Sequence, residues 1–156
     1  MEETNAIKIT VINFVPGSIG SEQTICEGTA PAMFTSVAAS GDGTKSYQWQ
    51  NSTDGIAFAN IGGALSATYT SPALTQDTWF RRLSTATTGL VSCTEITDTI
   101  KVTVNNFVPG SIADNQVICE NEVPDALTGV TPTGDVGAVF TYLWQNSLDG
   151  INFNNI

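Results

Sequence analysis

Few residues in this chain could do chemistry. There are three cysteines (Cys26, Cys93 and Cys119), three tryptophans (Trp49, Trp79 and Trp144), and 15 acidic side chains against five basic ones. There is no histidine, so His-dependent triads and His metal sites are excluded. Serine and threonine nucleophiles lack a histidine base, and no Gly-x-Ser-x-Gly elbow is present. No pair of carboxylates is marked out as the acid and base of a glycosidase. The sequence therefore reads as a non-enzyme with no cofactor.

Oxygen ligands suit calcium, so the acids need weighing. Asp42, Asp54, Glu27 and Asp98 are scattered, and no Asp-x-Asp-x-Asp-Gly loop exists. Glu120, Glu122 and Asp125 are the least unfavourable calcium candidates. Asp54 and Asp149 are explained as turn residues. Arg81-Arg82 could hold a carboxylate or phosphate, but reads more simply as a cross-strand pair with surface acids, worth ~0–1 kcal/mol. Lys8 and Lys101 raise an intramolecular Lys–Asn isopeptide, although an exposed lysine on an alternating strand needs no special cause.

The tryptophans could stack on sugars. Trp49 and Trp144 read instead as core pins, with Tyr47 and Tyr142 two residues before each. Trp79 also reads as core, although it adjoins Phe80 and the two cannot both face inward.

These residues are positioned by a repeat. Phe14-Val15-Pro16-Gly17-Ser18-Ile19 recurs as Phe107 to Ile112, and Ile25-Cys26-Glu27 as Ile118-Cys119-Glu120, both at an offset of 93. Tyr47–Ile61 matches Tyr142–Ile156 at an offset of 95, with 11 of 15 positions identical. The two extra residues fall between Glu120 and Tyr142. Ile7-Lys8-Ile9-Thr10-Val11 matches Ile100-Lys101-Val102-Thr103-Val104, again at 93.

The chain thus reads as a window on a tandem array. Residues 1–12 give the last strand of a preceding unit, 13–105 a complete unit, and 106–156 the first half of the next. That half lacks counterparts of Tyr69, Trp79-Phe80 and the last strand. It is expected not to close its own sandwich and to need a partner.

Period-2 alternation marks Ile7–Val11, Tyr47–Gln50, Ala67–Thr70, Trp79–Leu83 and Ile100–Val104 as strands. Asp54-Gly55 and Asp149-Gly150 predict type I′ hairpins, in which both central residues take positive φ. Gly41-Asp42-Gly43 and Gly62-Gly63 predict further turns. Strands at this spacing in a unit of about 93 residues predict all-β, Ig-like antiparallel sandwiches of about seven strands, in tandem.

Cys26 and Cys119 are equivalent by repeat. The economical pairing is a Cys26–Cys93 disulfide, with Cys119 left unpaired by truncation. Closing the 67 residues would contribute about 4 kcal/mol. The alternative is three reduced, buried thiols.

A net charge of -10 and a pI near 4.1 exclude a basic nucleic-acid track. No apolar run approaches the ~20 residues of a membrane span. Met1–Asn5 is acidic and polar, unlike a signal peptide, so an export signal is expected elsewhere.

Pro16-Gly17-Ser18-Ile19, Ile25-Cys26-Glu27, Tyr47 to Phe58, Gly63-Ala64-Leu65-Ser66-Ala67-Thr68-Tyr69, Thr78 to Arg82, Cys93 and Ile100–Val104 together resemble a known kind of repeat. They are similar to the Ig-like/PKD-like tandem repeats of giant Bacteroidota cell-surface adhesins, the gliding-motility adhesins of the SprB type among them. The resemblance implies export by type IX secretion and an extracellular, cell-surface location. It implies a stalk or spacer whose partners are its neighbouring repeats and a polysaccharide or substratum. The alternative is an ancillary, carbohydrate-binding Ig-like module of a secreted enzyme.

Overall fold

The computed structural model describes residues 7–156. Part of the expected first segment, residues 1–6, lies outside the described residues. The chain is all-β and divides into two compact units, Met1–Asn105 and Asn106–Ile156.

In the first unit, β-branched and aromatic alternation sets the long strands. The strands are β1 (Phe14–Val15), β2 (Ser18–Gly20), β3 (Gln23–Cys26), β4 (Thr35–Val37), β5 (Ser40–Gly41), β6 (Thr44–Ser52), β7 (Ala59–Asn60), β8 (Thr78–Thr88), β9 (Val91–Ile96) and β10 (Ile100–Asn105). The main sheet runs β3-β10-β8-β6-β7, with β9 continuing the β10 side of β8. Two small sheets, β2-β4 and β1-β5, complete the unit.

The organising strand is β8. Thr78, Phe80, Arg82, Ser84 and Ala86 are buried on one face, while Trp79, Arg81, Leu83, Thr85 and Thr87 lie half-buried on the other. Its whole length from Trp79 to Thr87 is laddered to β6. Its other edge takes β9 and then β10 in series. Burial of Ile19, Phe34, Trp49, Ala64, Phe80, Ile100 and Val102 in one cluster joins the small β2-β4 sheet to the main one. Phe34, Trp49, Tyr69 and Phe80 form its aromatic centre, with ring centroids 4.9 Å apart for Phe34–Phe80 and 5.5 Å for Trp49–Tyr69. The packed layers are sandwich-like.

Several expectations are corrected here. The unit is not wholly antiparallel, because β10 pairs with β3 in parallel. Ala67–Thr70 is not a strand, although Tyr69 still packs on the core. Residues 7–13 carry no strand, and Ile7, Ile9 and Val11 are exposed, since no partner edge adjoins them among the described residues.

The Asp-Gly turns are not type I′. Only Gly55 and Gly150 have positive φ, at 71° and 70°, and the loop from β6 to β7 is longer than two residues. Side chains close it. The Asp54 carboxylate accepts hydrogen bonds from the amides of Ile56 and Ala57, both at 2.8 Å, and from the Ser52 hydroxyl at 2.6 Å. Ser52 Oγ in turn accepts the Gly55 amide. These bonds pull the Asp54 pKa down to about 2, the Ser52 hydroxyl contributing most.

The second unit has β11 (Phe107–Val108), β12 (Ser111–Ala113), β13 (Thr128–Val130), β14 (Thr133–Gly134), β15 (Gln145–Asn146) and β16 (Asn154–Asn155). They pair β11-β14, β12-β13 and β15-β16, repeating β1-β5, β2-β4 and β6-β7. Asp135 receives the Asn106 amide as Asp42 receives that of Asn13, so the offset is still 93 at that point. The two-residue insertion therefore lies between Asp135 and Tyr142. No residue of this unit is buried.

Candidate functional site

Strand register decides the cysteines. Cys26 lies opposite Asn105, three residues beyond Val102, which faces Thr78 on β8. Cys93 faces Ala86, eight residues along β8 in the other direction. The two thiols are thus separated by about 11 residues of strand, roughly 36 Å at ~3.3 Å per residue. A disulfide needs Cα atoms within about 7 Å. The expected Cys26–Cys93 disulfide does not form. All three cysteines are free, with Cys26 and Cys119 exposed and Cys93 half-buried. The alternative of three buried thiols fails as well.

The acids do not converge. Among the described residues no three carboxylate or thiol groups gather as a metal would require. Glu122 accepts the Cys119 amide at 3.3 Å, and Asp125 spends its backbone N–H and C=O on Gln116. Glu120, Glu122 and Asp125 therefore do not form a common ligand set. Glu27 and Asp98 are exposed, and Asp42 caps Asn13.

Trp49 is fully buried, and its indole N–H donates to the Ser66 carbonyl at 3.0 Å. Tyr47 is half-buried, its hydroxyl receiving the Ala39 amide. Trp144 and Tyr142, expected in a core, are instead 50% and 66% exposed. The reason is that the second unit contains nothing equivalent to β8 to cover them. Trp79 is not core either. Phe80 takes the inward position, and Trp79 lies on the outer face beneath the Lys101 ammonium, 4.9 Å from the ring centre.

That outer face is the most chemically varied surface of the first unit. Lys101 also pairs with Asp77 at 2.6 Å, which answers the isopeptide reading: its partner is a carboxylate that keeps its oxygens. The Lys101 ammonium, and then the Val104 amide, hold the Asp77 carboxyl below its ordinary pKa. Arg81 lies 4.0 Å over the Phe58 ring, and its Nε donates to Gln50. Lys45 donates to the carbonyls of Gly41, Asp42 and Gly43, each at 2.7 Å. These cations are spent on the unit's own rings and carbonyls.

Arg82 overturns the reading of an exposed pair. It is fully buried and has no carboxylate partner. Its guanidinium donates to the carbonyls of Ala67 (2.6 Å), Val37 (2.8 Å) and Pro16 (3.0 Å) and to Ser36 Oγ (2.6 Å). It stacks 4.9 Å from the Tyr47 ring. Ser84 adds a second bond to Pro16. Burial pulls the Arg82 pKa down from its usual value. Its Nε is buried with no partner among the described residues. Arg82 therefore ties the Pro16 bend, β4 and the 66–68 segment to β8, and it is closed to any ligand. The sequence did carry a signal for this. Once Phe80 faces inward, period-2 alternation sends Arg82 inward as well.

One groove remains, a volume of about 310 Å³ lined by Ile61 to Ser66 and by Thr68, Tyr69 and Thr70. Its lining is mostly backbone and small side chains. Burial raises the Tyr69 phenol above its ordinary pKa, so it stays neutral and can offer a hydrogen bond.

A family model described as a domain of unknown function (DUF8696) matches residues 15–106 and again 108–156. No curated protein and no solved structure matches the chain.

Proposed function

The chain belongs to the family of the domain of unknown function DUF8696, matched twice in tandem, and from that premise we propose that it is a repeat segment of a large secreted cell-surface adhesin. The segment serves as a stalk or spacer in surface attachment and gliding. Each unit is read as Ig-like, and the protein as type IX secretion cargo displayed outside the cell.

The observation that carries this reading is the tandem match with Phe107 alone between its two stretches. Arrays of this kind gain stability module by module and from neighbouring contacts, with no reactive centre. The chemistry-bearing side chains fit such a role, since Arg82, Lys45, Lys101 and Asp54 serve turns and strand contacts. A net charge of -10 keeps repeated modules soluble and mutually repelling. Neither calcium nor any other cofactor is needed by it.

The test is protease shaving of intact cells that make the full protein, followed by immunodetection of this segment. The reading expects the segment to be lost from intact cells. Protection until lysis overturns it. The second reading, a carbohydrate-binding module of a secreted enzyme, draws on the 61–70 groove. Retardation of the chain in polysaccharide-containing gels, abolished by Tyr69→Ala, would favour that reading over a pure spacer.

A further inference from the structure

In the first unit, β10 fills a slot beside β3. Val102, Thr103, Val104 and Asn105 face Gln23, Thr24, Ile25 and Cys26 in parallel. Ile100, Val102 and Val104 are thereby buried to 4%, 0% and 4% exposure. The equivalent edge of the second unit is Gln116–Cys119, which carries no strand, and Val117 and Ile118 there are 100% and 47% exposed. Within the described chain nothing occupies that slot.

One segment has the sequence to fill it. Ile7-Lys8-Ile9-Thr10-Val11 differs from Ile100-Lys101-Val102-Thr103-Val104 only at Ile9. Its Ile7, Ile9 and Val11 are 91%, 86% and 72% exposed. Charge agrees as well. Residues 106–156 contain six acids and no lysine or arginine, whereas the 7–11 segment carries Lys8.

We propose that residues 7–11 of one copy add as a parallel strand to Gln116–Cys119 of a second copy, joining chains end to end. The mode is strand addition to an exposed edge, with main-chain hydrogen bonds giving affinity and alternate side chains giving register. By the observed β3-β10 register, Ile9 faces Gln116, Val11 faces Ile118 and Ile12 faces Cys119. Donor and acceptor are different surfaces, so the contact is heterologous and propagates into open chains rather than closing a dimer. A single short strand gives a weak contact that depends on concentration.

The register supplies the test. Adjacent strands place facing Cα atoms within the reach of a disulfide. Mild oxidation of the Ile12→Cys chain should give a reducible ladder of oligomers linked to Cys119 of the next copy. The ladder should vanish in Ile12→Cys/Cys119→Ser and in Ile12→Cys/Ile9→Asp. Sedimentation of the unmodified chain should show mass rising with concentration, and Ile9→Asp should abolish that rise. Ile9 is exposed, so this change leaves the fold intact, as the far-UV spectrum will verify. Mass that does not change with concentration, or a ladder that persists in Ile12→Cys/Ile9→Asp, overturns the proposal.

Discussion

Trp49 and Trp144 occupy the same place in the same motif, yet one is fully buried and the other half exposed. The contrast does not come from local structure. Around both, the chain makes the same bonds. Gln50 donates to Asn60 at 2.8 Å, and Gln145 to Asn155 at 2.9 Å. The Ile61 amide reaches the Trp49 carbonyl at 2.9 Å, and the Ile156 amide reaches that of Trp144 at 3.1 Å. Ser52 and Asp54 close one loop as Ser147 and Asp149 close the other. Local hydrogen bonding thus repeats whenever the motif repeats. Burial repeats only where the β8-β9-β10 hairpin is present to supply it.

The sharpest way to break this comparison is to truncate the two tryptophans. Trp49→Ala removes the centre of a packed aromatic cluster and should cost about 3–5 kcal/mol in urea unfolding. Trp144→Ala should shift the same curve by less than ~0.5 kcal/mol, as exposed substitutions do. Equal costs would mean that the second unit has a core after all.

Arg82→Ala should be the next largest effect. It strips donors from the Pro16, Val37 and Ala67 carbonyls, and charged hydrogen bonds are worth roughly 1.5–3 kcal/mol each. Recovered desolvation offsets part of this, leaving about 2–4 kcal/mol by the same calorimetric or urea measurement. Arg81→Ala, whose side chain lies on the outer face, should cost well under half as much. Parity of the two would contradict the buried tie.

The acid side should treat both units alike. Asp54 is held at about 2, and Asp149 is depressed too, chiefly by the Asn152 backbone amide. A folded-state pKa below the unfolded one gives stabilisation that is complete above the ordinary aspartate range near 4 and is lost as pH falls through the folded value. Amide shifts of Ile56 and Ile151, followed by NMR, should therefore stay constant down to about pH 3 and move only below it. An Asp149 titrating near 4 would show that local closure needs the core.

The smallest effect concerns the thiols. Denatured, non-reduced protein should react with a thiol reagent at all three cysteines. Native protein should react faster at Cys26 and Cys119 than at half-buried Cys93. A mass two protons light would restore the Cys26–Cys93 bond and break the register described above.

Much of this molecule was legible in its sequence because much of it is local. The repeat offsets, the all-β class, the Tyr47–Gln50, Trp79–Leu83 and Ile100–Val104 strands, and the inward Trp49 follow from alternation and from β-branched and aromatic content. The misreadings share a cause. Pairing Cys26 with Cys93 rested on repeat arithmetic, which says nothing about how far apart two strand ends lie. Placing Trp144 and Tyr142 in a core assumed that a motif carries its burial with it. Treating Arg81 and Arg82 alike ignored the alternation that sends one outward and the other inward.

By itself, then, the sequence determined the local order of this protein: which segments extend, where they turn, and which serine and aspartate close each loop. Those outcomes depend on groups only a few residues apart, whose entropy of closure is small. The tertiary structure alone decided that β3 and β10 run parallel, that Cys26 and Cys93 lie at opposite ends of one sheet, and that Arg82 is buried without a counterion. Those outcomes depend on which distant strands lie side by side, and that is set by the collective burial around β8 rather than by any residue's near neighbours.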